Sequence, residues 1–313
     1  MDFKQIEAFV NVVRYKSFSR AADATFFTQP TISTHISILE KELGTKLLDR
    51  KGRIVEMTPQ GRQFYKYAVE MVNTRAQAID ALDKDSDKVE GVLELQTSSI
   101  PGITFLPEIL AGFRKEHTKT MFYVDQSDSA TVADNICERR GELGFVGEKG
   151  NNPNLEYNKL FSDRSVLVVP AGMFTDSEEV GIEEIVGLPF IWRENGSATQ
   201  KSFEDAVIRK GYDRTSFEVV AMFNDLDAII RSVESGLGVS ILSEQTVAKL
   251  SSLGIRAVNI NGFNANRDFY MINMKSVALS PVAESFKQYI LERRPAGSRK
   301  SKKKGSINFL GVL

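Results

Sequence analysis

Along the first sixty positions, apolar residues return at helical spacing. Ile6, Phe9, Val10 and Val13 stand at i, i+3, i+4 and i+7, the stripe of one amphipathic helix. Ser17 to Ala24 follows, with serines able to cap a second short helix and alanines small enough for close packing. Thr25–Thr28 reads as a turn. Thr28 is placed to cap a third helix, with Pro30 in its first turn, where a missing N–H costs nothing. Ile32, Ile36, Leu39 and Leu43 line the side expected to be buried, and Gly44 ends the helix.

Three helices with a four-residue turn before the third make the helix-turn-helix plan, whose recognition helix enters the DNA major groove N-terminus first. The exposed start of that helix offers Gln29, Thr31, Ser33, Thr34 and His35, short or amide side chains suited to base edges and phosphates. The stretch from Leu47 to Thr58 then predicts a two-stranded wing with Gly52 in its turn. Arg50, Lys51 and Arg53 at its tip would neutralise backbone phosphates without reading sequence.

Thr58-Pro59 starts a longer helix. Phe64, Ala68, Met71, Arg75, Ala78 and Leu82 alternate at fours and threes, with Tyr65, Val72 and Ile79 beside them at sevens. The pattern is a coiled-coil seam of about three heptads, broken at Arg75. A helix packed onto its own domain is the other reading of so wide a stripe. Residues 80–90, rich in Asp and Lys, form a polar hinge.

From Val92 the pattern alternates strand and helix. Val92–Thr97 reads as a strand, Ser98–Gly102 as a turn, and Phe105, Leu106, Ile109, Leu110 and Phe113 as one helix face. A strand at Met121–Val124, a helix at Thr131–Arg140 and a strand at Leu143–Val146 follow, predicting a mostly parallel sheet with helices on both faces. Ser165–Pro170 and Arg267–Met274 are apolar strands about a hundred residues apart. Between them lies a second α/β unit, with strands at Phe190–Trp192, Val219–Phe223 and Val239–Leu242 and helices from Ser197 and Asp225. Two crossover strands around an inserted unit are the plan of a two-lobed clamp.

Composition narrows the function classes. The 313 residues are 42% hydrophobic and 26% charged, ordinary for a globular chain of more than one core. Cys137 is the one cysteine, so no intrachain disulfide is available, and a reducing cytoplasm fits. With His35 and His117 as the only histidines, a Cys/His zinc site is not expected. Asp2, Lys4, Gln5 and Glu7 interrupt any secretory apolar run, and no stretch is long enough to span a membrane. The net charge of -1 conceals ten Lys/Arg against seven Asp/Glu in residues 1–62, a basic excess suited to a polyanion. No metal cluster, phosphate-binding glycine loop or G-x-S-x-G elbow stands in the chain, so neither an enzyme nor a cofactor is expected. A secreted solute-binding protein would account for the second half but leaves residues 1–62 without a purpose.

The order of these features carries a resemblance. Phe9 followed by Ser17-Phe-Ser-Arg20-Ala-Ala, then Thr28-Gln-Pro-Thr-Ile-Ser33, Leu39–Arg50 and Thr58-Pro-Gln-Gly61, resembles the LysR-type winged helix-turn-helix over almost all of residues 1–62. Gly236–Leu242 and Arg139–Leu143 resemble recurring segments of that family's sensor domain more loosely. One departure concerns the recognition helix. Where the family often has Arg and Gln after the serine, Thr34 and His35 stand here, which shifts the expected operator preference.

The resemblance implies an α+β multidomain chain: an N-terminal winged helix-turn-helix, a linker helix, and a C-terminal α/β periplasmic-binding-protein-like sensor of two subdomains. The expected boundaries are 1–58 for DNA binding, 59–90 for the linker and hinge, and 91–295 for the effector domain. Within the last, subdomain I takes 91–163 and 268–295, and subdomain II takes 164–267. DNA contacts fall to Arg20, Thr28, Gln29, Pro30, Thr31, Ser33, Thr34, His35, Arg50, Lys51 and Arg53. The implied partners are promoter DNA, a small-molecule effector and a second copy through the linker helix, with a tetramer beyond it and RNA polymerase as a candidate.

Ligands of open α/β sheets bind beyond the carboxyl ends of strands. Thr97, Ser98, Ser99 and Ile100 in one lobe, and Glu194–Gln200 with Ser197, Ala198 and Thr199 in the other, offer hydroxyls and amides just before helices; Ser127-Asp-Ser129 ends a third strand on that side, and Gly147 and Phe223 stand near the ends of others. Such residues are either plain helix caps or ligand contacts, and sequence leaves both open. With no Lys or Arg in the first segment, the expectation is a small oxyanion or carboxylate held by uncharged donors. Similarity to the sulfur-assimilation branch of the family adds sulfur-containing anions. Trp192, Phe145 and Phe223 could line an aromatic pocket, but are counted as core. Residues 296–313 form a basic tail, either solvated or attracted to DNA without sequence preference.

Overall fold

A computed structural model describes residues 1–25, 27–51, 54–80, 82, 89–250, 254–263, 266–275 and 277–293; of residues 50, 51, 54 and 80 it describes the backbone alone. Phe26, Gly52, Arg53, most of the expected hinge and the basic tail lie outside the described residues. The chain divides into two compact units: Met1–Val89 with short pieces at 138–140 and 276–285, and the rest from Glu90 onward.

In the first unit, α1 (Phe3–Tyr15), α2 (Phe18–Thr25) and α3 (Gln29–Leu43) precede a hairpin of β1 (Leu48–Lys51) and β2 (Ile54–Met57), and then α4 (Pro59–Asp80). Asp2 and Gln5 close a capping box on α1, each side chain accepting from the other's amide at 2.9 and 3.1 Å. Ile6, Phe9, Val10, Ala21, Ala22, Ile32, Ile36 and Leu39 form one core with Leu47, Tyr65, Ala68 and Val69. Leu43 departs from the predicted stripe and is 37% exposed, in the last turn before the left-handed cap at Gly44 (φ 65°).

Two polar devices bind the hairpin to the helices. Glu40 is buried, and it accepts from the Leu47 and Leu48 amides at 2.9 and 3.2 Å and from Lys46 Nζ at 2.7 Å. Burial pushes its carboxyl up, but these donors outweigh that and hold it below the usual carboxylate range. At the start of α4, Thr58 Oγ1 donates to the Lys46 carbonyl at 2.7 Å and accepts from the Gly61 amide at 2.9 Å. Gly61 sits so close to the chain that a Cβ there would lie 2.0 Å from the Leu47 carbonyl oxygen.

The long helix packs onto its own unit, with Phe64, Met71 and Val72 partly buried against the core. Tyr65, Ala68 and Val69 are buried in the unit's own core, whereas Tyr67, Ile79 and Leu82 are exposed. Arg75, the break in the heptads, pairs with Glu7 at 2.8 Å and lies over the Phe3 ring.

The second unit begins with β3 (Gly91–Ser98), α5 (Ser99–Thr104), α6 (Leu106–Glu116), β4 (Thr120–Ser127), α7 (Ser129–Cys137) and β5 (Leu143–Val146). There follow β6 (Leu155–Pro170), β7 (Glu179–Val180), α8 (Ile182–Ile185), β8 (Pro189–Arg193), α9 (Ala198–Ile208), β9 (Glu218–Phe223) and α10 (Leu226–Glu234). Last come β10 (Ser240–Ser243), α11 (Glu244–Leu250), β11 (Ile255–Ile260), β12 (Asn266–Met274) and α12 (Pro281–Arg293), of which residues 281–285 are counted with the first unit.

β3 pairs in parallel with β4 and β5, as expected. The crossover strands do not follow the parallel expectation: β12 runs antiparallel to both β5 and β6. β6 is far longer than its apolar half predicts. Its polar first half, Leu155–Arg164, pairs with β12, and Ser165–Pro170 continues into antiparallel pairs with β10 and β11. One strand therefore serves two lobes, and its paired polar stretch hides it from a hydrophobicity pattern. β8 and β9 form a small parallel pair joined to β10's approach by a bridge from Phe190 to Val239. Trp192 and Phe145 are fully buried, as their reading as core residues expects.

Candidate functional site

In the first unit, the start of α3 is open to solvent. Thr28 caps the helix, accepting from the Thr31 amide at 3.3 Å, and Gln29, Pro30 and Thr34 are exposed. Thr34 Oγ1 donates back to the Pro30 carbonyl at 2.9 Å, and Ser19 Oγ donates to Gln29 Oε1 at 3.2 Å. Arg20 is exposed on α2. His35 is half-buried, its ring edge-on to Phe27 with centroids 5.6 Å apart, so packing already holds its imidazole. Ser33 is also half-buried. The backbone of Arg50 and Lys51 lies in β1 at the hairpin end, where Lys51 pairs with Ile54; Arg53 is outside the described residues.

In the second unit, Ser98, Ser99, Ile100, Ser129, Ser197, Ala198 and Thr199 line one small cleft, about 240 Å³ of empty space counted to its open mouth. Thr97, Gly147 and Phe223 do not line it. Thr97 is buried behind Ser98 and donates to its carbonyl at 3.0 Å. Gly147 stands one layer back, its amide donating to Ser129 Oγ at 3.2 Å. Phe223 is half-buried and packs with Ile100 and Leu226 in an apolar cluster, so it belongs to the core.

The hydroxyls divide between capping and availability. Ser197 caps α9, accepting from the Gln200 amide at 3.5 Å. Ser129 is committed to Gly147. Ser98 precedes α5 without a capping bond, and its buried Oγ finds no hydrogen-bond partner among the described residues. A buried hydroxyl left so costs roughly 1–3 kcal/mol, which a ligand acceptor would recover.

The expectation of uncharged donors is overturned, because two arginines reach the cleft from other strands. Arg193, at the carboxyl end of β8, is 3% exposed and donates through Nη2 to Ser99 Oγ at 3.2 Å. Its Nε and Nη2 also donate to the two Glu194 oxygens, both at 2.8 Å. Arg267, at the start of β12, donates to Thr199 Oγ1 and lies over the Phe269 ring, 4.7 Å from its centroid. Its buried Nε finds no partner among the described residues. Burial, opposed by Asp163 and assisted by the charge of Arg193, lowers the Arg267 guanidinium to about 10, so it stays charged at neutral pH.

Glycines make room for these groups. A Cβ on Gly147 would lie 1.9 Å from Arg267 Nη2. Gly196 takes φ +88° beside Asp128, whose Oδ1 would lie 2.7 Å from a Cβ there. Asp128 itself accepts from the Ala130 and Thr131 amides at 2.9 and 3.0 Å; burial raises its carboxyl, but these bonds and the Thr131 hydroxyl hold it below its ordinary value.

Sequence reasoning missed Arg193 and Arg267, whereas Glu194 and Asp128 fall within the expected segments 194–200 and 127–129. The available signal was a charged residue at the end of an apolar strand, Phe190–Trp192 before Arg193 and Phe269–Ile272 after Arg267. Among the described residues no His/Cys/Asp/Glu group could hold a metal, and no helix is long and apolar enough to cross a membrane.

Two family descriptions match the chain. Residues 3–62 match a bacterial regulatory helix-turn-helix protein of the lysR family, and residues 86–295 match a LysR substrate binding domain. The chain is similar to an uncharacterized HTH-type transcriptional regulator of Methanocaldococcus jannaschii, 29% identical over 91% of this chain and 96% of the relative. Its fold is similar to a full-length OxyR point variant from Pseudomonas aeruginosa, with TM-score 0.74 at 17% identity over 93% of this chain and 97% of that one. The regulatory domain of Synechocystis CcmR in complex with 2-PG is similar to 67% of this chain and covered over 99% of its own, with TM-score 0.60 at 20% identity.

Proposed function

The chain belongs to the LysR family of transcriptional regulators, and from that premise we propose that it is a promoter-binding regulator whose response is set by a small anion held between Arg193 and Arg267. DNA is read by the exposed start of α3, with Gln29, Thr31 and Thr34 reading base edges and Arg20 a phosphate, while Arg50, Lys51 and Arg53 are assigned to phosphates on the sequence alone. Thr34 in place of a long cation removes one guanine or phosphate contact and leaves more of the reading to amide and hydroxyl groups. A second copy joins through the exposed face of α4, giving the two-fold reader that a palindromic operator requires, and a pair of dimers extends it.

The observation that carries the ligand class is the convergence of two guanidiniums and an uncommitted buried hydroxyl, Ser98 Oγ, on one cleft. Guanidinium forks match carboxylate, sulfate and phosphate geometry, and a partly desolvated site strengthens each bond. Binding of 2-PG by a protein of the same fold agrees with such an anion. Sulfur-containing anions belong to the same chemical class. An effector acts on DNA binding only through a difference in its affinity for two arrangements of the protein.

Thermal unfolding of the full chain against sulfate, sulfite, thiosulfate, inorganic phosphate and organic carboxylates tests the reading. A saturable rise in Tm, which grows as RT ln(1 + [L]/Kd), is expected for at least one anion and is lost in Arg267→Gln. Equal stabilisation of that variant, or silence across the panel, removes the anion from the cleft.

A further inference from the structure

Within that reading, on which this inference rests, the two arginines are not equivalent. Arg193 already holds a carboxylate: Glu194 accepts from Nε and Nη2 at 2.8 Å each, in the side-on fork that an incoming oxyanion would use. Arg267 has no carboxylate bonded to it among the described residues; its bond goes to the neutral Thr199 hydroxyl, and Asp163 and Glu148 act on it through space. The members of the Arg193–Glu194 pair also differ in freedom. The arginine side chain is 3% exposed and that of Glu194 21% exposed, so the carboxylate has the shorter way to water.

We propose that Glu194 is a resident competitor, occupying Arg193 until the second anionic group of a ligand replaces it, so that the cleft selects small dianions over monoanions. A monoanion on Arg267 leaves the Arg193–Glu194 pair intact and gains nothing from it. A second negative charge repels Glu194 and offers Arg193 the same fork, while Glu194 turns out and regains hydration. The exchange breaks one ion pair and forms another. It also relieves the repulsion between the two guanidiniums, which lowers Arg267 while both stand without a shared counter-ion. The uncommitted Ser98 hydroxyl adds a neutral donor to whatever anion sits there.

Isothermal titration of the full chain with sulfate, a dianion, and nitrate, a monoanion, tests this. Glu194→Gln keeps the shape and removes the charge; it is expected to tighten sulfate about tenfold and nitrate by less than about threefold. Arg267→Gln is expected to abolish both. Unchanged or weaker sulfate binding in Glu194→Gln overturns the competitor while the cleft reading stands, provided that Arg267→Gln still removes binding. Sulfate binding that survives Arg267→Gln, or no binding of either anion by the wild type and by Glu194→Gln, overturns the cleft reading and the competitor with it. Should Glu194→Gln not fold, Glu194→Asp serves, since the shorter carboxylate cannot reach both nitrogens; sulfate affinity unchanged in that variant also refutes the proposal.

Discussion

The DNA-binding unit and the cleft solve opposite problems. In the first, the working groups lie on α2, the start of α3 and one hairpin, held by contacts among neighbours: Glu40 to Leu47 and Leu48, Thr58 to Lys46, Gly61 against Leu47. In the cleft, the working groups come from segments up to about 170 residues apart, Ser98 to Arg267, and are brought together by a fold in which β6 runs through both lobes. The first is a rigid display of exposed side chains. The second gathers buried charge around a space, and each of its parts is ordinary when taken alone. Damage to the first should therefore appear as lost stability, and damage to the second as lost ligand response.

Gly61→Ala should give the largest effect. Helix propensity alone favours alanine by about 1 kcal/mol. Sterics point the other way, because the new Cβ would lie 2.0 Å from a backbone oxygen, and the Leu47 carbonyl is also tied to the Thr58 amide at 3.0 Å. Neither chain can yield cheaply, so a net loss of about 3 kcal/mol is expected, read as a lower urea midpoint of the first unit's transition. A stabilised variant would show that α4 slides freely on the hairpin.

Glu40→Gln follows, at about 2 kcal/mol, since a charged acceptor of three bonds becomes a neutral one. The same group gives a pH test. Its carboxyl is depressed in the folded chain, so its stabilisation is complete above the ordinary glutamate value of about 4.3 and is lost as pH falls through the lower folded value. Thermal unfolding of wild type and variant should therefore converge as the solution is acidified. A constant gap down to the acid end would mean that the charge contributes nothing.

The legibility of the two regions follows from the same difference. Ile6, Phe9, Ile32 and Leu39 announce their helices because each stripe is local, and the cap at Thr28 and the turn at Gly44 punctuate it. The Ser/Thr segments of the cleft were visible as well, since they end strands. Arg193 and Arg267 were not, because β8 and β12 look like ordinary apolar strands until two different sheets bring those arginines to one cleft. The polar half of β6 was missed for a related reason: Glu156 to Arg164 pairs with β12 along its length, and that pairing rather than an apolar pattern defines the strand. The choice between cap and ligand contact for Ser98 and Ser197 also needed coordinates, since both precede a helix and only one is committed to it.

Gly147→Ala sharpens the comparison most directly, because it repeats the insult of Gly61→Ala with a different neighbour. The added Cβ would lie 1.9 Å from Arg267 Nη2 and 3.2 Å from the Phe269 ring. The nearer atom is the end of a long side chain, which can swing away where a backbone carbonyl cannot. Stability should therefore fall by less than about 1 kcal/mol, within the range of mild substitutions. The displaced guanidinium loses its bond to Thr199 and its place over Phe269, so the cleft loses its uncompensated cation. Sulfate affinity should drop about tenfold while operator binding without ligand is unchanged. If the variant unfolded as readily as Gly61→Ala, the cleft would be a structural keystone like the hairpin, and the division between a rigid display and a yielding, charged cavity would not hold.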